Sequence, residues 1–252
     1  MTQKLRCLSV IMPVYNETRT LREIVQRVRE VPLPKEIIIV DDGSTDSTQE
    51  ILSAIQREFD QSGDNHQTTL KVISHHQNRG KGASIRTGIS EARGDLLIIQ
   101  DADLEYNPND YTKLIEPILS GEVDVVYGSR FQNPNQTPFS WHTWGNKFLT
   151  RLSNLFTHLH LTDMETCYKV FRTDMIQRLP IRSNRFAFEP EVTAKLSKLR
   201  CRIREVPISY SARGYSEGKK INWKDGLSAV WTIFKYWLVD DLPAGNTATQ
   251  NT

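Results

Sequence analysis

The stretch LLIIQDADLEYN, from Leu96 to Asn107, decides how the rest of the chain is interpreted. Its first four residues are apolar without alternation, which is typical of a strand buried on both faces of a parallel sheet. The polar residues that follow include Asp101, Asp103 and Glu105, so three acids emerge at the carboxyl end of that strand. Open α/β sheets bind ligands beyond such strand ends. The stretch therefore predicts a buried central strand with a ligand site at its end.

The spacing of the first two acids points to a cation. Asp101 and Asp103 are separated only by Ala102. Oxygen donors at this spacing can hold a hard divalent cation such as Mg²⁺ or Mn²⁺, with diphosphate oxygens completing its shell. The same loop also fits a simpler role, in which Asp101 or Asn107 caps the next helix. The pair alone does not decide between the two roles.

Composition places the chain among globular proteins. Of its 252 residues, 38% are hydrophobic and 25% are charged, and a net charge of +2 argues against a dedicated nucleic-acid binder. The three cysteines, Cys7, Cys167 and Cys201, are far apart and fit buried thiols in a reducing cytoplasm. The first apolar run is too short for a signal peptide, and no run of about 18 apolar residues predicts a membrane span.

Strand and helix patterns alternate through the first half of the chain. Strands are predicted at 8–12, 36–40, 70–74 and 123–127, and a further strand begins at Leu96. Helices are predicted near 21–28, 47–59 and 108–120, and a further helix ends near Ala92. The second half is predicted to contain a loop at 132–140, an amphipathic segment at 141–161, strands at 168–172 and 201–207, and helices at 190–198 and 224–239. This order predicts an α/β fold with a doubly wound, mainly parallel sheet.

Three strand ends should meet at one edge of this sheet: Pro13–Glu17, Asp41–Ser44 and Asp101–Glu105. Such a meeting point suits a nucleotide diphosphate, with Tyr15 against the base or ribose and Glu17 and Asp42 accepting hydrogen bonds from them. Asp41 alone equally fits a plain turn. The sequence has no G-x-x-x-x-G-K-[ST] loop and no G-x-G-x-x-G after the first strand. The glycines of RGKGAS, at 79–84, are instead predicted to form a tight turn and a helix start.

Several motifs together resemble one family. PVYNE (13–17), VDDGSTDST (40–48), DADLE (101–105) and GSRF (128–131) resemble glycosyltransferase family 2, most closely its dolichyl- or polyprenyl-phosphate mannose and glucose synthases. The later motifs DMETCYKVFR (163–172), FEPEV (188–192), EVPISY (205–210) and RGYSEGKKINWKDG (213–226) resemble the same subgroup. The resemblance covers residues 8 to about 238. It implies a GT-A fold, a nucleotide-sugar donor, a divalent cation and transfer with inversion.

The resemblance also implies roles for individual residues. The nucleoside would be bound by Pro13, Tyr15, Glu17, Val40 and Asp42. The sugar, diphosphate and metal would be contacted by Asp101, Ala102 and Asp103, with Asp103 as the main metal ligand. The donor diphosphate and the acceptor phosphate would be held by Arg130, Arg213 and Lys219. The family commonly has Gln where this chain has Glu105. The extra negative charge could tighten metal binding, with Glu105 as a third metal ligand, or repel the donor phosphates. Catalysis would depend on Asp101, Asp103, Arg130 and Arg213.

The resemblance divides the chain into a nucleotide-sugar-binding half, 1–131, an acceptor-side extension with amphipathic helices, 132–239, and a tail at 240–252 that is predicted to be disordered. In the last helix, Trp231, Phe234 and Trp237 share a face. This face could rest on a membrane surface, on a membrane-anchored partner or on the protein's own sheet. We therefore expect a cytoplasmic protein, peripheral on the cytoplasmic face of a membrane.

The leading hypothesis is a metal-dependent inverting transfer of a hexose from GDP-mannose or UDP-glucose to polyprenyl phosphate. A phosphate acceptor needs no base, because the second pKa of a phosphate is about 6 and the group is largely ionised at neutral pH. The basic loop 213–220 supplies cations for the two charged reactants, and Gly214 and Gly218 could let this loop close over the donor. The main alternative is a family 2 enzyme acting on a hydroxyl of a glycan or glycolipid, which would need Glu189 or Glu191 as base, although Glu191 also fits a helix start. A third reading is a non-catalytic nucleotide-sugar-binding module. The absence of a Gly-rich triphosphate loop disfavours a nucleotidyltransferase.

Overall fold

The structure is a computed structural model that describes residues 3–62, 67–133, 141–212, 223–239 and 242. The described residues form a seven-stranded sheet. Its strands are β1 (Leu8–Val14), β2 (Lys35–Asp41), β3 (Thr68–Ser74), β4 (Leu96–Ile99), β5 (Val125–Ser129), β6 (Lys169–Arg172) and β7 (Ile203–Pro207). Every predicted strand is therefore present, with ends that differ by a few residues.

The helices alternate with these strands. They are α1 (Leu21–Glu30), α2 (Thr48–Ser62), α3 (Lys81–Glu91), α4 (Tyr111–Leu119), α5 (Trp141–Thr157), α6 (Thr173–Gln177), α7 (Phe188–Lys198) and α8 (Trp223–Leu238). A 3₁₀ turn, Pro108–Asp110, precedes α4, and the Asn107 side chain accepts a hydrogen bond from the Asn109 N–H at its start. Asn107 is thus a cap, as one of the two sequence interpretations predicts. The short helix α6 was not predicted.

The order of the strands places the candidate site. The sheet runs β3-β2-β1-β4-β6-β5-β7, and β1 is paired in parallel with both β2 and β4. Strands are added on one side of β1 by β2 and β3 and on the other side by β4, which makes the β1–β4 junction a topological switch point. Ligands bind at such a junction, beyond the carboxyl ends of the strands.

The apolar run that opens β4 is buried as predicted. Residues Leu96–Ile99 are at most 1% exposed, because β4 lies between β1 and β6. The strand β6 runs antiparallel to both of its neighbours, β4 and β5, whereas the other pairings are parallel. The mainly parallel sheet is thus confirmed. Because β6 comes from the second half of the chain, the sheet crosses the predicted division at residue 131, which stays a prediction.

The glycines of RGKGAS make room for a neighbouring loop. Gly80 has a φ of +97°, and a Cβ at this position would lie 2.3 Å from the carbonyl oxygen of Asn184. A Cβ on Gly82 would lie 2.5 Å from the carbonyl oxygen of Ser183. The Ala83 N–H donates to the Asn184 carbonyl oxygen over 3.0 Å. The predicted tight turn and helix start are confirmed, and the missing side chains also let the 183–184 backbone rest on α3.

The helices α5 and α8 pack against each other through aromatic rings. The Phe156 ring lies 4.9 Å from the ring of Phe234 and 4.9 Å from that of Trp237. On its inner side α8 buries Ile233 and Tyr236. The predicted aromatic face is divided, since Phe234 and Trp237 contact Phe156 whereas Trp231 is 69% exposed.

The two helices also leave large apolar side chains exposed to solvent. We call the following set the aromatic face: Trp144 (57% exposed), Phe148 (60%), Trp231 (69%), Trp237 (49%) and Leu238 (71%). Exposed apolar side chains are a mark of surfaces that contact another molecule when they lie together, and these lie on two helices that pack against each other. Among the described residues, no helix combines the length and hydropathy that crossing a bilayer requires.

Candidate functional site

The loops that follow β1 and β2 are joined by hydrogen bonds. The Asn16 N–H donates to Ser44 Oγ over 2.9 Å, and the Thr45 N–H donates to Asn16 Oδ1 over 2.9 Å. One residue further on, the Glu17 N–H donates to Thr48 Oγ1 over 3.0 Å. Two of the three predicted strand ends are therefore held together by hydrogen bonds from backbone N–H groups to side-chain oxygens.

The third strand end is joined to the same place. The Thr20 hydroxyl lies 2.6 Å from the carbonyl oxygen of Ala102 and 3.1 Å from Glu17 Oε2. The predicted meeting of the three strand ends is thus observed. The acids Asp101 and Asp103 lie at the β1–β4 junction.

A buried glutamine fixes the acidic turn that follows β4. Gln100 is fully buried, and its Oε1 accepts hydrogen bonds from the hydroxyls of Tyr111 (2.6 Å) and Tyr168 (2.7 Å). Its Nε2 donates to the carbonyl oxygen of Asp101 over 2.9 Å. Because both ends of the amide are held, the backbone of the turn is preorganised. Sequence reasoning did not assign Gln100 a role.

Asp101 is paired with a lysine. Lys81, the first residue of α3, places its Nζ 2.8 Å from Asp101 Oδ1 and 3.0 Å from Oδ2. The same Nζ lies 3.6 Å from Glu189 Oε1. Burial lowers the pKa of Lys81, but Asp101, Cys167 and Glu189 outweigh it and raise that pKa well above its ordinary value. Lys81 is therefore a charged ammonium group beside the acidic turn.

Asp103 and Glu105 point to different partners. The Glu105 N–H donates to Asp103 Oδ1 over 3.1 Å, within a turn that gives Leu104 a φ of +61°. The Glu105 side chain accepts a hydrogen bond from the Tyr210 hydroxyl over 2.8 Å. Within the described residues, no three His, Cys, Asp or Glu side chains are grouped to hold a metal. Asp101 is thus paired with Lys81 and Glu105 with Tyr210, and the three carboxylates are not grouped around one point in the described chain. Their binding of a metal stays a prediction.

The donor set that remains still suits a hard cation. Asp103 is half-buried rather than enclosed, and its carboxylate is a hard oxygen ligand. Mg²⁺ typically takes only one or two carboxylates and completes its shell with substrate phosphates and water. The turn therefore fits a cation that arrives with a diphosphate.

Arg130 lies on the same side of the molecule as the acidic turn. Its guanidinium is 5.3 Å from the centre of the Tyr210 ring, whose hydroxyl donates to Glu105. Its Nε and Nη2 each donate to Asp163 over 2.7 Å, and its backbone N–H donates to Asp163 Oδ2 over 3.0 Å. Burial lowers the pKa of Arg130, but Asp163 outweighs it and the net shift is upward. Asp163 thus fixes a cation against the ring of Tyr210, the residue that also contacts Glu105.

The predicted nucleoside-binding residues line the ends of β1 and β2. Pro13 and Val40 are partners in the register of these strands, and Val40 is fully buried. Tyr15 and Glu17 are half-buried in the loop after β1. These residues are adjacent, and their contacts with a nucleoside stay a prediction.

Asp42 is occupied within the protein. Its Oδ1 lies 2.7 Å from His75 Nδ1 and accepts from the Arg79 N–H over 3.0 Å, and its Oδ2 accepts from the Gly80 N–H over 2.7 Å. This carboxylate therefore supports the turn that delivers Lys81 to the site. Asp41 likewise holds its own turn by accepting from the Ser44 N–H over 3.1 Å, as the plainer interpretation of that residue predicts.

The predicted basic loop is not part of this geometry. Arg213 and Lys219 lie outside the described residues, as does most of the tail at 240–252. The described chain leads toward them at Ser211, whose N–H donates to the Glu105 carbonyl oxygen over 2.9 Å.

The two candidate bases are both buried. Glu191 lies 2.7 Å from Lys195 Nζ and accepts from the N–H groups of Arg182 (2.9 Å) and Ser183 (2.7 Å). Burial raises the pKa of Glu191, but Lys195 and these donors outweigh it and lower that pKa. Such a carboxylate is a poor base. Glu189 is 5% exposed, and its Oε2 has no hydrogen-bond partner.

Comparison with known proteins gives a family match for most of the chain. Residues 9–179 match the family model described as glycosyl transferase family 2. The chain is 27% identical over 216 residues to undecaprenyl-phosphate 4-deoxy-4-formamido-L-arabinose transferase of Pseudomonas aeruginosa strain PAO1, covering 84% of this chain and 60% of that protein. The chain therefore spans less than two thirds of the length of that relative. It is 30% identical over 240 residues to UDP-N-acetylglucosamine--dolichyl-phosphate N-acetylglucosaminyltransferase of Methanococcus voltae, covering 90% and 95%.

Solved structures show the same fold. Glucosyl-3-phosphoglycerate synthase from Mycobacterium tuberculosis, in complex with Mn²⁺, UDP-glucose and phosphoglyceric acid, has a TM-score of 0.71 at 18% identity, covering 94% of this chain and 81% of that one. Its complex with UDP alone has a TM-score of 0.70, with 94% and 82% covered. These neighbours are GT-A glycosyltransferases, so the predicted GT-A fold is confirmed.

Proposed function

Because the chain belongs to glycosyltransferase family 2, we propose that it transfers a hexose from a nucleotide-sugar, GDP-mannose or UDP-glucose, to polyprenyl phosphate with inversion. Two relatives are named for undecaprenyl-phosphate and dolichyl-phosphate acceptors, which supports this acceptor class. Their sugars are a formamido-arabinose and N-acetylglucosamine, so the donor has to be tested over a panel.

The observation that carries the proposal is the shared contact at Tyr210. This residue donates to Glu105 of the acidic turn and lies under the guanidinium of Arg130. An anionic nucleophile must approach an anionic donor in this reaction, so cations are needed on both reactants. An acidic turn for the donor's cation and a fixed arginine nearby meet that need.

The proposed step forms one bond and breaks one bond. An oxygen of the acceptor phosphate attacks the anomeric carbon, the bond from that carbon to the donor diphosphate breaks, and the nucleoside diphosphate leaves with the electron pair. No base is required, because the phosphate is already largely ionised. Mg²⁺ or Mn²⁺, when bound, neutralises charge on the leaving diphosphate. Asp103 would be its main protein ligand.

The other predicted roles complete the proposal. Asp101 and Ala102 would face the sugar and diphosphate, and Arg130 would face the acceptor phosphate. Arg213 and Lys219, which follow Ser211 in sequence, would hold the diphosphate and acceptor. The nucleoside would be bound by Pro13, Tyr15, Glu17, Val40 and Asp42.

A radiolabelled transfer assay tests the function. Purified protein is incubated with Mn²⁺ or Mg²⁺, undecaprenyl phosphate or dolichyl phosphate, and labelled GDP-mannose, UDP-glucose or UDP-N-acetylglucosamine in turn. We expect a charged lipid product from one of the hexose donors and none from undecaprenol, which lacks the phosphate. Transfer to undecaprenol without transfer to the phosphate, or no charged lipid product with any of the donors, would contradict the proposal.

We propose that the protein is peripheral on the cytoplasmic face of a membrane, and the aromatic face supports the contact with a membrane surface. Trp231 is 69% exposed, and tryptophan is favoured at the membrane interface. Lys147 on α5 and Lys235 on α8 provide positive charge on the same two helices. Apolar contact and attraction to anionic lipids act together in such binding.

Replacing Trp231 by glutamate tests this membrane contact. We expect Trp231→Glu to lose most of its sedimentation with vesicles that contain anionic phospholipid, because it puts a charge into the apolar contact. The control Gln56→Glu adds the same charge at an exposed position on α2 and should sediment like the unmodified protein. Equal sedimentation of the two variants would show that the aromatic face does not touch lipid.

A further inference from the structure

Lys81, like Gln100, is a residue of the site to which sequence reasoning assigned no role. It begins α3, and the hydrogen bonds of Asp42 to the Arg79 and Gly80 N–H groups fix the turn before it. Its side chain is 17% exposed, and that of Asp101, its partner, is 20% exposed. The ion pair is therefore largely shielded from solvent and lies at the end of β4, where the donor would bind.

The pairing uses both oxygens of Asp101, at 2.8 Å and 3.0 Å from Lys81 Nζ. A divalent cation next to Asp101 would be a close neighbour of this ammonium group, and like charges at short range in a poorly solvated site repel strongly. Asp103 is then the remaining carboxylate of the Asp-x-Asp pair. A single carboxylate with water binds Mg²⁺ or Mn²⁺ weakly unless phosphate oxygens are added.

We propose that Lys81 is a positioning residue that withholds Asp101 from the cation, so that the cation is bound only together with the donor diphosphate. This inference rests on the proposed function. It accounts for the pairing of Asp101 with an ammonium group at the place where the donor's cation would bind. It also gives the protein a way to avoid holding a cation in the absence of donor.

Glu189 strengthens the hold on Lys81. Its Oε1 lies 3.6 Å from Lys81 Nζ, and its Oε2 is buried without a hydrogen-bond partner. A buried carboxylate needs a nearby cation, and Lys81, together with Lys169, interacts with Glu189. Without the ammonium group, Asp101 and Glu189 would be left facing a common space, and a divalent cation would be the natural replacement.

Titration with Mn²⁺ alone, followed by the electron paramagnetic resonance signal of free Mn²⁺, tests the inference. We expect Lys81→Met to bind Mn²⁺ about tenfold more tightly than the unmodified protein, since the competing charge is gone. Lys81→Arg keeps the charge and should bind as weakly as the unmodified protein. Lys81→Met/Asp101→Asn should lose the gain. If Lys81→Met does not fold, Lys81→Gln replaces it, because its amide can still donate to Asp101.

Equal Mn²⁺ affinity in Lys81→Met and the unmodified protein would overturn the inference, and so would a gain that persists in the double variant. Thermal-shift titration of the unmodified protein with UDP and GDP separates this result from a failure of the proposed function. Stabilisation by a nucleotide together with unchanged Mn²⁺ affinity in Lys81→Met removes only the role of Lys81. No stabilisation by either nucleotide argues against the proposed function itself.

Discussion

Asp103→Asn should lower the rate of sugar transfer by about a hundred- to a thousandfold, because it removes the proposed protein ligand of the cation that stabilises the leaving diphosphate. The asparagine oxygen can still accept the hydrogen bond that the Glu105 N–H gives to Asp103 over 3.1 Å. The acidic turn should therefore keep its shape. Initial rates at saturating donor and Mn²⁺, with circular dichroism as a check of folding, measure the effect.

Two further variants show whether the loss is specific. Asp174→Asn removes the same charge from an exposed position in α6 and should leave the transfer rate unchanged. Glu105→Gln keeps an oxygen that can accept from the Tyr210 hydroxyl, now 2.8 Å from Glu105, so we expect a smaller loss than in Asp103→Asn. An equal loss in both would mean that Glu105 is a metal ligand after all. An unimpaired Asp103→Asn would refute the role of Asp103.

The order of elements and the location of the site could be predicted because both depend on local patterns. The unbroken apolar run Leu96–Ile99 indicates a strand covered on both faces, and the acids after it indicate the edge where ligands bind. The direction of β6 could not be predicted in this way. The run at Lys169–Arg172 is apolar enough for a buried strand, but no local pattern records whether a strand runs parallel to its neighbours.

The partners of the charged residues could not be predicted either. Lys81 and Asp101 are 20 residues apart, and Glu105 and Tyr210 are 105 apart. The sequence shows that each residue is polar, but only the sheet order shows which polar groups meet. A signal was present at Lys81, since it is the one charged residue between the two glycines of the turn, yet that turn was explained by its glycines alone.

Asp163→Ala should destabilise the fold by about 3–5 kcal/mol, because it leaves a buried guanidinium without its partner. The Asp163 side chain is fully buried and that of Arg130 is 10% exposed, and two hydrogen bonds of 2.7 Å join them. A third bond, from the Arg130 backbone N–H, would also be lost. Urea unfolding followed by circular dichroism measures the change in the free energy of unfolding.

The cost of Asp163→Ala should come from burial rather than from the loss of an ion pair as such. Glu58→Ala is the matched control, since Glu58 also receives one guanidinium, that of Arg22 at 2.7 Å, but both side chains are 55% exposed. This control should cost at most about 1 kcal/mol, because water screens an exposed pair. Replacing both Arg130 and Asp163 by Met and Leu should recover much of the stability, since no unpaired charge remains. That double variant should still lose transfer, which would separate the contribution of Arg130 to the fold from its proposed contact with the acceptor phosphate.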